Sequence, residues 1–584
     1  MMSLLKQRGE FIAGAGFAGS LLAFLFFYAT APIADPDFWW HLKSGEIMVQ
    51  NGGLLQFDPF TFTGDGVVSN REALILKGYW LWQIIAYGLY SALGFNGIFL
   101  LNFLTVGAMA AVVIQELRRQ QVGYPLAILL ITLGFYLFRY NFSLERPQVV
   151  SFLFMAILLV LLARVRDGGQ LGWSLPLLMM LWANLHGGFV VGDIVLLCFA
   201  GGAVLEYRHD LPRLRPLLLW IAAGIAASLL NPNGVLVFVE LFSFYNSDLM
   251  AWVSEYQSTW KMFQQGSRFV IVLWLLIALY GWGVWLSRRT YWPELIVALF
   301  LAYFSCKYIR NIGFFAVAML PVIGFYLQSG LDRRGWRIPL PGKYLVVLIA
   351  TAGLIWQANV YLQKQKNEAS ISAAFPEESS RFILSSGLSG RMFNSYNFGG
   401  YQIWRLYPQH QVFIDTRGLD TDVALDWRLI TGASLKEMGG RKEFEVLLDR
   451  YGIDYVVQSH HQRDSGRLTP LLKFLLNKPE WIPVYADYQS YILVRNSEKN
   501  AAVIDRYRME KKDFSHKVVG YLKAYCKSYP TEIVYHVALA EMLIYVGRYD
   551  EAAQRLAIIA NLQPENSSLP SLHNQLDVLK KGKK

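Results

Sequence analysis

Asp35 and Asp37 flank Pro36 and run directly into the aromatic stretch Phe38-Trp39-Trp40 and His41. Proline biases the residue before it towards extended backbone, and in an extended segment residues i and i+2 face the same way. The spacing therefore predicts two carboxyl groups pointing together. Such a pair can take a proton from a hydroxyl when apolar surroundings raise a carboxyl pKa, or can bind a divalent ion such as Mg or Mn. The plainer alternative is a solvated helix exit with aromatic anchors.

A second group of residues could hold an anion. Arg139, Glu145 and Arg146 lie in RYNFSLERP, and Lys307 and Arg310 in KYIRN, each between apolar runs. Cations in such places can grip the phosphate of a membrane lipid, arginine in a bidentate manner, or can simply snorkel from helix ends. Glu145 is equally able to pair with a neighbouring arginine. Asn184 and His186 interrupt an apolar region in WANLHGGF, where His186 could bind substrate, ligate a metal or donate to a phosphate. His41 joins these polar candidates. Glu255, in a long loop, is a weaker candidate for holding an acceptor.

The elements that must position these residues are membrane helices. The chain has 584 residues, 54% hydrophobic and only 17% charged, against about 25% charge in soluble domains. Apolar runs fit spans at roughly 11–34, 97–115, 124–138, 148–164, 174–186, 189–206, 214–230, 269–286, 293–306, 312–328 and 343–360, by the length that crosses a bilayer. The net charge of +11 is gathered in short basic loops, as expected of cytoplasmic loops rather than of a nucleic-acid binder. The Trp- and Tyr-rich segment 79–93 decides the parity. Placed as an interfacial helix on the outer face, it puts Arg118-Arg119, Arg164 with Arg166, Arg208–Arg215, Arg288-Arg289 and Arg333-Arg334 inside together. That arrangement has about eleven crossings, a cytoplasmic N-terminus and an outer C-terminus. The candidate polar residues then share one outer side, with the large first outer loop at 35–78.

Beyond Tyr361 the pattern becomes soluble. The expected organisation is a membrane domain over 1–361, a polar linker over 362–378, a small α/β domain over 379–500 and a helical tail over 501–584. Strands are expected at 391–396, 411–415, 453–458, 482–486 and 490–495, and helices at 399–406, 441–451 and 468–477. Asp415 and Arg417 read as structural, or as contacts to the membrane domain. Within the tail, YHVALAEMLIYVGRYDEAAQRLAIIANLQPEN resembles one tetratricopeptide helix pair, suited to docking a protein partner or to capping the fold.

The order of parts resembles the GT-C superfamily of membrane glycosyltransferases. It comprises a first helix, acidic residues at its outer end, an interfacial helix in a large first outer loop, many later spans and a soluble outer domain. The resemblance implies a mainly α polytopic bundle. It also implies transfer of a sugar from a polyprenyl-phosphate donor to an extracytoplasmic lipid, glycan or protein, with Asp35 and Asp37 in the catalytic position. The family often sets two acidic residues side by side, whereas Pro36 intervenes here. The segments DPDFWWHLKSGE, ERPQ, WANLHGGF, NPNG and VFIDTRG also resemble a group of bacterial polytopic membrane proteins, which implies the bacterial inner membrane. Two other functions fit less of the pattern. A non-catalytic membrane scaffold explains the tail but not the clustered outer polar residues. A transporter or flippase calls for ionisable residues at the bilayer midplane or an inverted repeat.

Overall fold

The computed structural model describes the chain except residues 1, 65–68, 140–142, 240–253, 338, 368–369, 373 and 582–584. Parts of the expected outer loops, 140–142 and 240–253, thus lie outside the described residues. The chain divides into two units: 1–57 with 68–372, and 58–67 with 373–584.

Among its described residues the first unit is helical, and each predicted span overlaps a helix, except that 312–328 is broken between Ile312–Ala316 and Leu320–Arg334. Among the described residues, six helices are long and apolar enough to cross a membrane: Ile12–Ala29, Phe95–Arg119, Gln148–Arg166, Phe189–Tyr207, Val270–Ser287 and Leu340–Lys366. The pair Ile309–Ala316 and Leu320–Arg334, bent by 51°, makes a seventh if it is one broken span. Helices Tyr124–Phe138 and Ser174–Leu185 are apolar but shorter. Large apolar side chains such as Leu219 and Leu348 are mostly exposed, which suits a hydrocarbon solvent rather than water. Inside, small residues let backbones approach. A Cβ on Gly202 would strike Pro293 at the start of the facing helix, so that contact requires glycine.

Helix Pro36–Asn51 differs from the extended segment expected around Asp35 and Asp37. Proline favours the first helical position and aspartate the N-cap. Here Asp35 keeps extended backbone and accepts the Asp37 N–H at 2.8 Å, and the helix begins at Pro36. Gly52, with φ +65°, ends it. The helix lies against Trp80–Leu93, where Gly45 meets the Gln83 backbone too closely for any side chain. Ile33, two residues before the cap, is tied by backbone hydrogen bonds to Ser370 and Ser372.

In the second unit four strands form one sheet in the order Arg391–Asn394, Ile453–Gln458, Tyr491–Arg495, Trp481–Ala486. The first pair is parallel and the others antiparallel. The expected strand at 411–415 does not form. Asn394 takes the backbone groups that a ladder would use: its amide oxygen accepts from Phe413 N–H at 2.8 Å, and its amide NH2 donates to Ile414 O at 2.7 Å. Only Val412 makes a bridge, to Thr61. Helices Gly399–Leu406, Glu443–Arg450 and Pro470–Leu475 lie where helices are expected. Helices Lys511–Ser528, Ile533–Tyr545, Tyr549–Leu562 and Leu569–Lys581 follow, and one apolar core runs from Phe393 through Val518 and Leu543 to Leu572.

The buried Asp415 and Arg417 belong to this unit. Arg417 donates to both oxygens of Asp415, at 2.8 and 2.6 Å, and to Asp58 at 2.7 Å. Its side chain is fully buried and its guanidinium lies over the Phe60 ring. These two residues are structural, and the triad fastens the stretch from Asp58 onto the α/β unit.

Candidate active site

The site grows from the start of helix Pro36–Asn51. Arg146 closes the short loop before helix Gln148–Arg166 and spends three sides of its guanidinium on three acids. Nε meets Asp35 at 2.5 Å, Nη2 meets Asp37 at 3.2 Å and Nη1 meets Glu255 at 3.1 Å. Arg310, in the short turn Ile309–Asn311, meets the other oxygen of Glu255 at 3.4 Å and donates to the Tyr256 hydroxyl at 3.0 Å. Three carboxylates thus face two guanidiniums.

Asp35 is 6% exposed. Burial pushes its carboxyl above the ordinary carboxylate range; Arg146 pulls it back and Asp37 adds to the rise. Burial works against the charge of Arg146, yet Asp37, Asp35 and Glu255 hold it well above its usual value. Arg310 carries a guanidinium too, and arginine keeps its proton in proteins. Both cations therefore stay charged at any working pH.

Glu145 lies beside this group without joining the ion pairs. It accepts from Ser143 and from the Ala34 backbone N–H. Burial lifts its carboxyl from 4.5 to about 7. A raised folded-state pKa means that the folded chain binds the proton more tightly than the unfolded chain. The associated stability is full below about pH 4.5 and is lost as pH rises through about 7, up to roughly 3 kcal/mol. We expect Glu145→Gln to remove this part of the pH dependence. Melting temperatures of the detergent-solubilised chain from pH 5 to 8 check it: the wild type should fall more steeply than the variant, and parallel curves count against the assignment.

His186 and His41 frame the site through Tyr79. The Tyr79 ring lies 5.0 Å from His41 and 5.6 Å from His186, centre to centre. His186 Nδ1 accepts from Gly188 N–H at 2.9 Å and pairs with Ser151 Oγ at 2.7 Å, and Ser151 in turn accepts from Trp182. An accepting Nδ1 leaves the ring proton of the neutral form on Nε2. With Nδ1 accepting from the Gly188 N–H, His186 is held in the neutral form. A Cβ on Gly188 would collide with Ser151 and with the His186 ring, which explains a glycine there. His41 pairs with Gln83 at 3.0 Å.

Three sequence candidates are placed in other contacts. Asn184 accepts from Trp80 at 3.0 Å and donates to the Met180 and Leu230 carbonyls. Lys307 is exposed and lies over Tyr303 and Tyr308. Arg139 lies over Tyr136 and Trp356. Conversely, Tyr79 and Tyr256 carried no sequence signal beyond their aromatic surroundings, and the bridging place of Glu255 had none.

The donor set does not fit a resident divalent ion. The Asp35 oxygens face Arg146 and the Asp37 N–H, and Asp37 faces Arg146 and Trp40 Nε1. Among the described residues no three His, Cys, Asp or Glu side chains gather as metal ligands.

No protein-family model matches the chain, and no curated protein matches it. Solved structures do. ArnT from Cupriavidus metallidurans, bound to undecaprenyl phosphate, is 14% identical over 83% of this chain and 98% of its own, with TM-score 0.48. The arabinofuranosyltransferase AftD from Mycobacteria is 15% identical over 83% of this chain and 40% of its own, also at 0.48. The oligosaccharyltransferase AglB from Archaeoglobus fulgidus, in complex with an inhibitory peptide and a dolichol-phosphate, is 11% identical. It covers 94% of this chain and 86% of its own, with TM-score 0.51. The protein is a multi-pass membrane protein whose fold is similar to that of the AglB structure.

Proposed function

We propose that the chain transfers a sugar from a polyprenyl-phosphate donor to an acceptor outside the cytoplasm. The carrying observation is that Asp35, Asp37, Arg146 and Arg310 meet at one place in a GT-C fold. The acceptor hydroxyl attacks the anomeric carbon as the bond from that carbon to the phosphate oxygen breaks. Asp35 or Asp37 takes the hydroxyl proton, and the polyprenyl phosphate leaves with the bonding pair. Arg146, Arg310 and the neutral His186 Nε2–H supply donors for the charge that develops on that phosphate. The similar AglB structure contains a dolichol-phosphate, which supports a lipid-phosphate donor. The test is transfer of radiolabelled sugar from such a donor into membrane acceptors, present with the chain and absent without it.

We infer about eleven crossings of a bacterial inner membrane, with the N-terminus cytoplasmic and the second unit outside. The helix pair Ile533–Tyr545 and Tyr549–Leu562 acts as a tetratricopeptide-like dock for a protein partner, a role supported by the turn at Gly547 (φ +78°). Single cysteines replacing exposed Arg118 and Ser385, in a background lacking Cys198, Cys306 and Cys526, test the sidedness. With an impermeant thiol reagent on spheroplasts we expect labelling at 385 only; labelling at 118 alone reverses the topology.

A further inference from the structure

Glu255 presents to Arg146 and Arg310 what a phosphate would present. One carboxylate bridges both guanidiniums, each oxygen on a different arginine, at 3.1 and 3.4 Å. A phosphate offers the same geometry with more oxygens and more charge, and two bidentate-capable guanidiniums suit it better than they suit one carboxylate. The two anions therefore compete for the same donors.

The three acids around Arg146 differ in what it costs to move them. Asp35 has a side chain 6% exposed and caps its helix, so its displacement leaves both an unpaired buried carboxylate and an open cap. Asp37, the second residue of that helix, has a side chain 19% exposed. The Glu255 side chain is 35% exposed, on a single turn over Ser254–Tyr256. It can reach water on leaving, where an exposed carboxylate carries little penalty. Glu255 is thus the group that yields.

We infer that Glu255 is a built-in counter-anion of the donor site, occupying the guanidiniums until a phosphate monoester or diester displaces it. This rests on the proposed donor reading and adds its regulation. Without an anion, Glu255 keeps Arg146 and Arg310 ordered and neutralised next to Asp35 and Asp37. On donor binding, the phosphate takes Arg310 and one edge of Arg146, and Glu255 is released towards the solvent.

The experiment measures binding to the full chain in lipid nanodiscs by intrinsic tryptophan fluorescence, with undecaprenyl phosphate and, separately, inorganic phosphate as probes. Removing the competing charge with Glu255→Gln should tighten undecaprenyl phosphate binding about five- to tenfold, the size expected for two partly exposed ion pairs. The gain should shrink as salt is raised. If inorganic phosphate tightens equally, the competition lies at the phosphate itself; if only the lipid tightens, the lipid headgroup is the ligand. Either result supports the counter-anion. Unchanged or weaker binding of both probes overturns it and makes Glu255 a loop anchor. Arg310→Ala is the independent arm. If it leaves lipid-phosphate affinity unchanged, the donor site itself is wrong. If it weakens binding while Glu255→Gln fails to tighten it, only the counter-anion inference falls.

Discussion

Asp35→Asn and Asp37→Asn should each lower sugar transfer by about 10² to 10⁴, the usual contribution of a positioned general base. The larger loss is expected at whichever residue takes the proton, and the double variant should be inactive. Asparagine caps helices about as well as aspartate, so Asp35→Asn keeps the hydrogen bond to the Asp37 N–H that starts helix Pro36–Asn51. It removes the charge facing Arg146 at 2.5 Å, and with it the basicity. Arg146 retains Asp37 and Glu255, so the site should not collapse. The measurement is transfer from a radiolabelled polyprenyl-phosphate sugar, normalised to inserted protein, together with lipid-phosphate affinity. Loss of transfer with affinity kept identifies a chemical role. Wild-type transfer by both single variants and by the double variant would falsify the proposed mechanism.

Arg417→Leu should destabilise the second unit by about 3 to 5 kcal/mol, the cost of stripping the partner from buried charges. Arg417 is the shared cation of Asp415 and Asp58, whose side chains are only 2% and 7% exposed. Leucine fills part of the volume but leaves two carboxylates facing each other out of water. Arg381→Ala is the contrast, because Arg381 is 61% exposed and pairs with exposed or half-exposed Glu377 and Glu378; its effect should stay within about 0.5 kcal/mol. Limited proteolysis of the full chain under native conditions reads both. Cleavage within 373–584 should be much faster for Arg417→Leu and unchanged for Arg381→Ala. Equal resistance in the two variants means that the triad contributes nothing to folding.

The membrane character was legible because it depends on composition along the chain. Apolar runs must be helical where no water satisfies the backbone, and so the expected spans overlap helices, although the break at 317–319 inside the expected span 312–328 was not foreseen. Their lengths are another matter: helices such as Ser174–Leu185 are too short to declare themselves spans by length alone, and packing sets how they lie. Strands rich in β-branched and aromatic residues, such as Ile453–Gln458, were equally readable. The segment 411–415 looked the same but is not a strand, because a side chain 17 residues or more upstream, Asn394, occupies its backbone. No local pattern records such a long-range competitor.

The same division runs through the site. Asp35 and Asp37 stood out by type and spacing, although capping chemistry rather than extended backbone brings them together. Which cations they meet was decided by tertiary structure. Arg139, Arg146, Lys307 and Arg310 are alike as residues between apolar runs, and only the packing of helices far apart in sequence selects Arg146 and Arg310 and turns Lys307 to the surface. Glu255 shows the limit most clearly. Its sequence neighbours are unremarkable, and its place between two guanidiniums comes from segments 109 and 55 residues away, joined because charges taken from water require partners at close range.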